Sequence, residues 1–232
     1  MIKVLYRLSD KGRPKEKLNN ASKEHCLQNA LEVFGKIGFY VFADNCSKES
    51  IEMIISKGIT PHILSLGNSG SWRHCFEFAV NNFSHDTLVY FLEDDYLHLE
   101  SSKIALIEGL QIANYVTLYD HPDKYLDGPN PYVKYNSEET RVYKTDTTHW
   151  KETNSTTMTF AASVKTIIED KDIWWIYTEG SLPKDFEAFT KILKVPFFSF
   201  NNVKRKLISA LPGLSTHTET AWISPFVDWN SI

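Results

Sequence analysis

The chain has 232 residues, of which 42% are hydrophobic and 13% aromatic, enough apolar material to bury a core and to exclude disorder as its ground state. With 25 basic against 29 acidic residues the formal charge is −4, the wrong sign for a general nucleic-acid binder, whose footprint is basic. The length fits one α/β domain, and no apolar run approaches the roughly 18 residues of a membrane span.

In chain order, Lys3 to Leu8 reads as a short buried strand at the very start of the sequence, with no signal-peptide pattern before it. A soluble, cytoplasmic protein is the expectation. Glu24 to Gly35 carries Leu27, Ala30, Leu31 and Phe34 on one helical face. Phe39 to Ala43 is a second strand, and Ser47 then caps a helix through Lys57 that stops at Gly58. His62 to Leu66 is a third strand, followed by the loop GNSGSWRH and a helix to about Asn82; Leu88 to Leu92 is a fourth. This βαβαβαβ rhythm predicts a doubly wound, mainly parallel α/β sheet with helices on both faces. Ligands of such sheets bind outside the carboxyl ends of the strands.

The second half is less regular. Ala113 to Leu118 reads as a strand and Asp120 to Tyr135 as a long loop; Arg141 to Lys144 and Thr156 to Ala161 read as strands, the latter leading into a helix over Ser163 to Glu169. Pro183 is placed to open a helix through Leu193, and the tail from Leu211 to Ile232 has weak periodicity. The compact basic run Lys204 to Lys206 reads as a solvated face. Cys26, Cys46 and Cys75 are odd in number and lack CxxC spacing, which predicts reduced thiols. No internal repeat or linker appears, so residues 1–232 read as a single domain.

The fourth strand runs straight into Glu93, Asp94 and Asp95. Adjacent carboxylates repel, and a hard divalent cation offsets that repulsion while keeping positions open for water and phosphate oxygens. The alternative is an acidic loop in solvent. A P-loop NTPase is excluded because GxxxxGK[ST] is absent. A sugar-nucleotide pyrophosphorylase would place a Gly-rich loop with a basic residue after its first strand, where SDKGRPK holds one glycine.

Three pieces in register, ADNCS at 43–47, LGNSG at 66–70 and FLEDDY at 91–96, resemble the family-2-like, GT-A-fold nucleotide-sugar glycosyltransferases over residues 1 to about 100. That resemblance implies a nucleotide-sugar-binding first half and an acceptor-side half over 101–232. It implies Asp95 as the main metal ligand, with Glu93 and Asp94 at the ribose or at metal-bound waters. It implies Asp44 on the base edge of a UDP-sugar, with Arg7 and Ser9 lining the same pocket. For Asp44 an N-cap or turn role stays open, and for Arg7 a place on the surface. Asn68 and Gly70 belong to the loop that would approach the nucleotide, Arg73 would face the diphosphate, and Gly67 and Gly70 would equally serve a tight turn. Trp72 is expected in the core or wall. The triplet EDD departs from the family's DxD, and no QxxRW element appears. The latter argues against a processive polysaccharide synthase, and with no apolar run long enough for a membrane span the expected acceptor is a soluble glycan or glycoprotein.

An inverting transferase needs a carboxylate to take the acceptor's proton. In GSLPKDFEAF, Asp185 leads and Glu187 follows, although acids in a first helical turn also suit the macrodipole alone. GT-A enzymes often complete the metal shell with a histidine near the C-terminus, and the resemblance points to His217 in STHTETAW. Imidazole favours manganese over magnesium as the ion. The competing class is a calcium-dependent carbohydrate-binding module, which would bind sugar without turnover.

Overall fold

The structure is a computed structural model and describes residues 2–12, 14–193 and 205–232. The first half follows the alternation of the sequence. Strand β1 (Ile2–Ser9) is buried along almost its whole length, as a central parallel strand must be. Helix α1 (Lys23–Phe34) starts where the Ser22 side chain accepts the His25 N–H at 3.0 Å. Strand β2 (Phe39–Asp44) precedes α2 (Lys48–Ser56), which Ser47 caps through Ser50 N at 3.2 Å; Gly58, at φ 78°, takes the left-handed turn beyond it. Strand β3 (His62–Leu64) is followed at once by α3 (Gly67–Asn82) and then β4 (Leu88–Glu93). The GNSGSWRH segment, expected as a loop, forms the first turns of α3. Gly67, at φ +74°, supplies the left-handed entry that makes the early start possible.

Beyond β4 come β5 (Tyr96–His98), α4 (Ser102–Ile112), β6 (Tyr115–Thr117), β7 (Val142–Lys144), β8 (His149–Glu152) and β9 (Phe160–Ser163). Helices α5 (Val164–Glu169), α6 (Lys171–Ile176) and α7 (Asp185–Leu193) follow, then β10 (Leu207–Leu211) and β11 (Ser215–His217). The strand expected at Thr156 to Ala161 is displaced to Phe160–Ser163 because Thr157 and Met158, at φ 53° and 60°, form a turn instead. Helix α7 begins two residues after Pro183. Lys204 of the basic run lies outside the described residues. Arg205 does not lie on a solvated face: it is buried, with Nε 2.9 Å from Asp170 and Nη2 2.7 Å from Glu169.

One sheet runs in the order β3-β2-β1-β4-β9-β6-β10-β8-β7. Strands β3, β2, β1 and β4 are mutually parallel, β9 is antiparallel to both its neighbours, β10 returns parallel to β6, and β8 and β7 close the edge antiparallel. Side chains alternate between two cores. Val4, Tyr6, Leu8, Tyr90 and Leu92 pack with α1 and α4 on one face, while Leu5, Val89 and Phe91 pack with α3, α5 and α7 on the other. Trp72 is fully buried in the second core, 5.0 Å from the Trp174 ring. The three cysteines are unpaired, and burial pushes the Cys26 and Cys75 thiols up to about 12. Among the described residues no helix is long and apolar enough to cross a membrane.

A second sheet, of two strands, matters most for the site. Strand β11 pairs antiparallel with β5, setting His217 opposite Tyr96 and Ser215 opposite His98, and Thr218 N donates to the Asp95 carbonyl at 2.9 Å. The chain reaches β11 through Gly213, where an added Cβ would stand 2.0 Å from Ser224 Oγ and 3.1 Å from the backbone N of Asp120. Gly213→Ala is accordingly expected to cost about 1–3 kcal/mol, the usual scale of overpacking. A lowered urea midpoint checks this, and an unchanged midpoint would show that the turn has room.

Candidate functional site

The carboxyl ends of β1, β2 and β4 open into a cavity of about 620 Å³. Register explains what meets there: Arg7 on β1 lies beside Glu93 on β4, and Ser9 lies beside Asp44 on β2. The Arg7 guanidinium is buried, 7% exposed, and Nη2 donates to Glu93 Oε1 at 2.5 Å. Nη1 donates to the Asn68 carbonyl and to Asn68 Oδ1, both at 2.9 Å. Arg7 thereby fastens the start of α3 to the end of β4. Asp44 has the capping role: Oδ1 accepts the N–H groups of Leu66 (2.6 Å) and Gly67 (3.2 Å), while Oδ2 accepts from Asn45 Nδ2 at 2.9 Å. It nevertheless lines the cavity, as do Ser9 and Asn68.

The three acids are separated by their partners. Burial pushes the Glu93 carboxyl up to about 7 despite Arg7, and burial together with the Asp95 charge pushes Asp94 up to about 6. Asp94 Oδ2 accepts the Ser9 N–H at 3.1 Å and lies 3.9 Å from Lys23 Nζ. Asp95 goes the other way. Burial alone would raise it, but the hydrogen bond and charge of His217, with Lys17 and Lys15, hold it well below the usual carboxylate range. His217 Nε2 stands 3.1 Å from Asp95 Oδ2, and both side chains are largely buried.

That spacing is close to the edge of an octahedron whose metal–ligand bonds are about 2.1 Å, so Asp95 and His217 fit adjacent positions on one ion. Among the described residues no three His, Cys, Asp or Glu side chains are grouped to hold a metal unaided. The pair therefore suits an ion whose remaining positions go to water and phosphate oxygens. His217 Nδ1 accepts the Glu219 backbone N–H at 3.3 Å, which leaves the ring proton on Nε2 toward Asp95; a metal on Nε2 would displace that proton.

Several residues here were not singled out from the sequence. Lys15 Nζ lies 3.3 Å from His217 Nε2, 3.2 Å from Glu219 and 4.0 Å from Asp95, and Lys17 Nζ lies 3.7 Å from Asp95. Asp10 accepts from Lys23 Nζ at 2.5 Å and from Ser47 N at 2.7 Å. The signal in the sequence is the lysine-rich run after β1, KGRPKEK. Arg7 with Lys11, Lys15, Lys17 and Lys23 lines the cavity with Asp10, Asp44, Glu93, Asp94 and Asp95, so among the described residues five cations meet five carboxyl groups, two of which burial makes easier to protonate.

Five expected residues lie outside the cavity lining: His217, which reaches it only through Asp95, and Arg73, Gly70, Asp185 and Glu187. Arg73 does not face it: Nε donates to Thr178 Oγ1 at 2.8 Å and the guanidinium lies over the Trp175 ring. The helical period is the reason, since Arg73 sits two residues beyond Ser71, which does face the cavity, and so points elsewhere. Gly70 packs under Leu66, whose Cβ a side chain there would meet at 2.9 Å. Asp185, half-buried, accepts the Thr156 N–H at 3.4 Å; burial raises its carboxyl pKa, and backbone N–H groups of the same loop oppose the rise. The adjoining Thr157 hydroxyl bonds the hydroxyl of Tyr96, next to Asp95, so Asp185 stands one loop away from the acids. Glu187 is exposed on α7.

No protein-family model matches this chain, and no curated protein matches it significantly. Among solved structures it is similar to S. aureus TarS, also solved in complex with UDP, at 17% identity over 89% of this chain with TM-score 0.45; it spans 57% of that chain. It is similar to 4-diphosphocytidyl-2C-methyl-D-erythritol synthase from Anaerococcus prevotii, at 13% identity over 90% of this chain and 87% of that one, TM-score 0.46. A CMP:2-keto-3-deoxy-manno-octonic acid synthetase complexed with CTP shows 10% identity over 91% and 92% of the two chains, TM-score 0.47. The functional reading rests on the cavity itself.

The raised carboxyls have a measurable consequence. Asp94 has a folded pKa near 6 against roughly 4 unfolded, so it takes up a proton on folding. Its contribution is fully present below the unfolded value and is lost as pH rises through about 6. In metal-free protein Asp94→Asn should therefore gain on the order of 1–2 kcal/mol relative to wild type between pH 5 and pH 8. Comparing variant with wild type cancels the opposing titration of His98, whose buried ring is held down to about 3. Parallel denaturation curves at the two pH values would contradict the assignment.

Proposed function

We propose that the protein is a metal-dependent glycosyltransferase that moves a sugar from a nucleoside-diphosphate sugar, UDP-linked by preference, to a hydroxyl of a glycan or glycoprotein. The observation that carries this reading is the Asp95–His217 pair, 3.1 Å apart at the end of a parallel strand, with Asp95 on the wall of the cavity. A diphosphate entering such a cavity brings uncompensated negative charge, and a divalent ion on Asp95 and His217 supplies the counter-charge. Manganese suits the mixed oxygen and imidazole donors.

The ion, when bound, stabilises the leaving diphosphate as a Lewis acid. The chain's own residues do the rest. Lys15, Lys17 and Lys23 line the cavity and lend positive charge to the phosphates. The Arg7–Glu93 pair and the Asp44 cap hold β1, β4 and the start of α3 rigid around the nucleotide. Asp185 takes the acceptor proton; its raised pKa makes it a stronger base than an exposed carboxylate. A second reading, nucleotidyl transfer, draws on the lysines of the β1–α1 loop, and it differs in releasing pyrophosphate from a nucleoside triphosphate.

Screening UDP-, GDP- and dTDP-sugars with manganese tests the reading: nucleoside diphosphate should appear only with the metal. Asp95→Asn should lower that release at least about a hundredfold in a folded protein. Release at the wild-type rate without manganese, or pyrophosphate from a triphosphate instead, would overturn it. Asp185→Asn should lower kcat for transfer by about 10²–10⁴ with the donor KM little changed. A variant that loses donor affinity instead would remove Asp185 from the role of base.

A further inference from the structure

The corner that holds Asp95 and His217 also holds an ammonium group. Lys15 Nζ stands 3.3 Å from His217 Nε2, 3.2 Å from Glu219 Oε2 and 4.0 Å from Asp95 Oδ2. Lys15 lines the cavity and His217 does not, so it is the ammonium that this corner presents to an entering ligand, with the imidazole behind it. Lys17 Nζ lies 3.7 Å from Asp95. Lys15 and Lys17 thus match Asp95 and Glu219 charge for charge.

Lys15 is held there by the carboxylates and not by the ring. With its proton on Nε2 the imidazole offers the ammonium no lone pair, and two donors face each other across the 3.3 Å. The backbone around Lys15 is anchored to the tail: Thr220 N donates to the Glu16 carbonyl and Leu18 N to the Thr218 carbonyl, both at 3.0 Å. The side chain is freer. It is 33% exposed and ends a flexible four-carbon stem, so Nζ can leave the corner while the loop stays in place. Lys23, by contrast, is tied to Asp10 and to the Ser9 carbonyl, both at 2.5 Å.

An ion bonded to both Asp95 Oδ2 and His217 Nε2 at about 2.1 Å would lie within roughly 5 Å of that ammonium, wherever around the two donors it sat. In a partly buried corner the repulsion between a divalent ion and an ammonium at such range is strong. We propose that Lys15 keeps the ion off the Asp95–His217 pair until a diphosphate enters, and that the phosphates draw its ammonium away and open the pair to the ion. Ion and diphosphate then load together, and the corner is never left with a surplus of either charge. The proposal rests on the transferase reading for its ion and its diphosphate.

Manganese titrations followed by the EPR signal of the free ion test this without turnover, on wild type, Lys15→Met and Lys17→Met, each alone, with UDP and with uridine. Without nucleotide, Lys15→Met should bind the ion at least about tenfold more tightly than wild type. Lys17→Met should gain much less, because Lys17 pairs with Asp95 and does not stand at the imidazole. UDP should shrink the gain of Lys15→Met to within about threefold, so the coupling of ion and nucleotide falls, whichever of the two is titrated. Uridine, which brings no phosphate, should leave the gain intact. Unchanged or weaker binding in Lys15→Met, an equal gain in both variants, or a gain that UDP does not shrink or that uridine removes would overturn the exchange and leave the metal pair standing. Manganese bound by none of the three proteins, with or without UDP, would sink the transferase reading and the exchange with it.

Discussion

Three carboxyl groups can stand in a row at the end of a buried strand only if each meets a different counter-charge. Glu93 has Arg7, Asp94 has the Ser9 N–H with Lys23 beyond it, and Asp95 has His217 with Lys15 and Lys17. The partners come from several places: Arg7 and Ser9 from β1, Lys23 from the start of α1, Lys15 and Lys17 from the loop between them, and His217 from the tail. Neutralising the triplet therefore fixes where those segments lie, and the cavity at the strand ends is what remains between them. The uneven protonation of the three acids follows from the same constraint, because burial is common to all of them while the strength of the partner is not.

The sheet supports this arrangement at the level of register. Parallel pairing aligns Arg7 with Glu93 and Ser9 with Asp44, and the antiparallel pairing of β5 with β11 sets His217 across from Tyr96. A slip of one residue in that small sheet would turn the imidazole to the other face and away from Asp95. The buried Tyr90–His98 hydrogen bond at 3.0 Å and the Ser102 hydroxyl on the Leu214 carbonyl at 2.9 Å hold the two short strands where they are.

Much of the first half was legible because apolar periodicity and capping agree there. Apart from α3, which starts two turns early at Gly67, the elements through β4 fall within a few residues of their expected bounds, with Ser47 capping as its position implied. The second half was legible only in part: β6, β7, α5 and α7 lie where they were expected, whereas β5 and β11, of three residues each, are too short for any period to show and are held by pairing between distant segments. Helix α4 was missed although its apolar residues recur, and β8 carries His149, Lys151 and Glu152, a polar composition that Lys151 sustains only by burying its charge against Asp120. Of the site, Arg7, Ser9, Asp44, Asn68 and the three acids converge on one cavity, as the resemblance implied, whereas Arg73 fell to the phase of a helix that started earlier than foreseen. The lysines of the β1–α1 loop escaped notice because an irregular loop carries no periodic signal of which side chains turn inward.

The contact between Lys15 and His217 spans 202 positions of the chain. Contacts so far apart in sequence are slow to form, because the loop they close must be ordered before they reward it. During synthesis the β1–β4 half can pair while the segment bearing His217 has not yet left the ribosome, so the acids spend that interval without their imidazole. The order of events leaves an incomplete chain without the Asp95–His217 pair, whatever its β1–β4 strands have already formed.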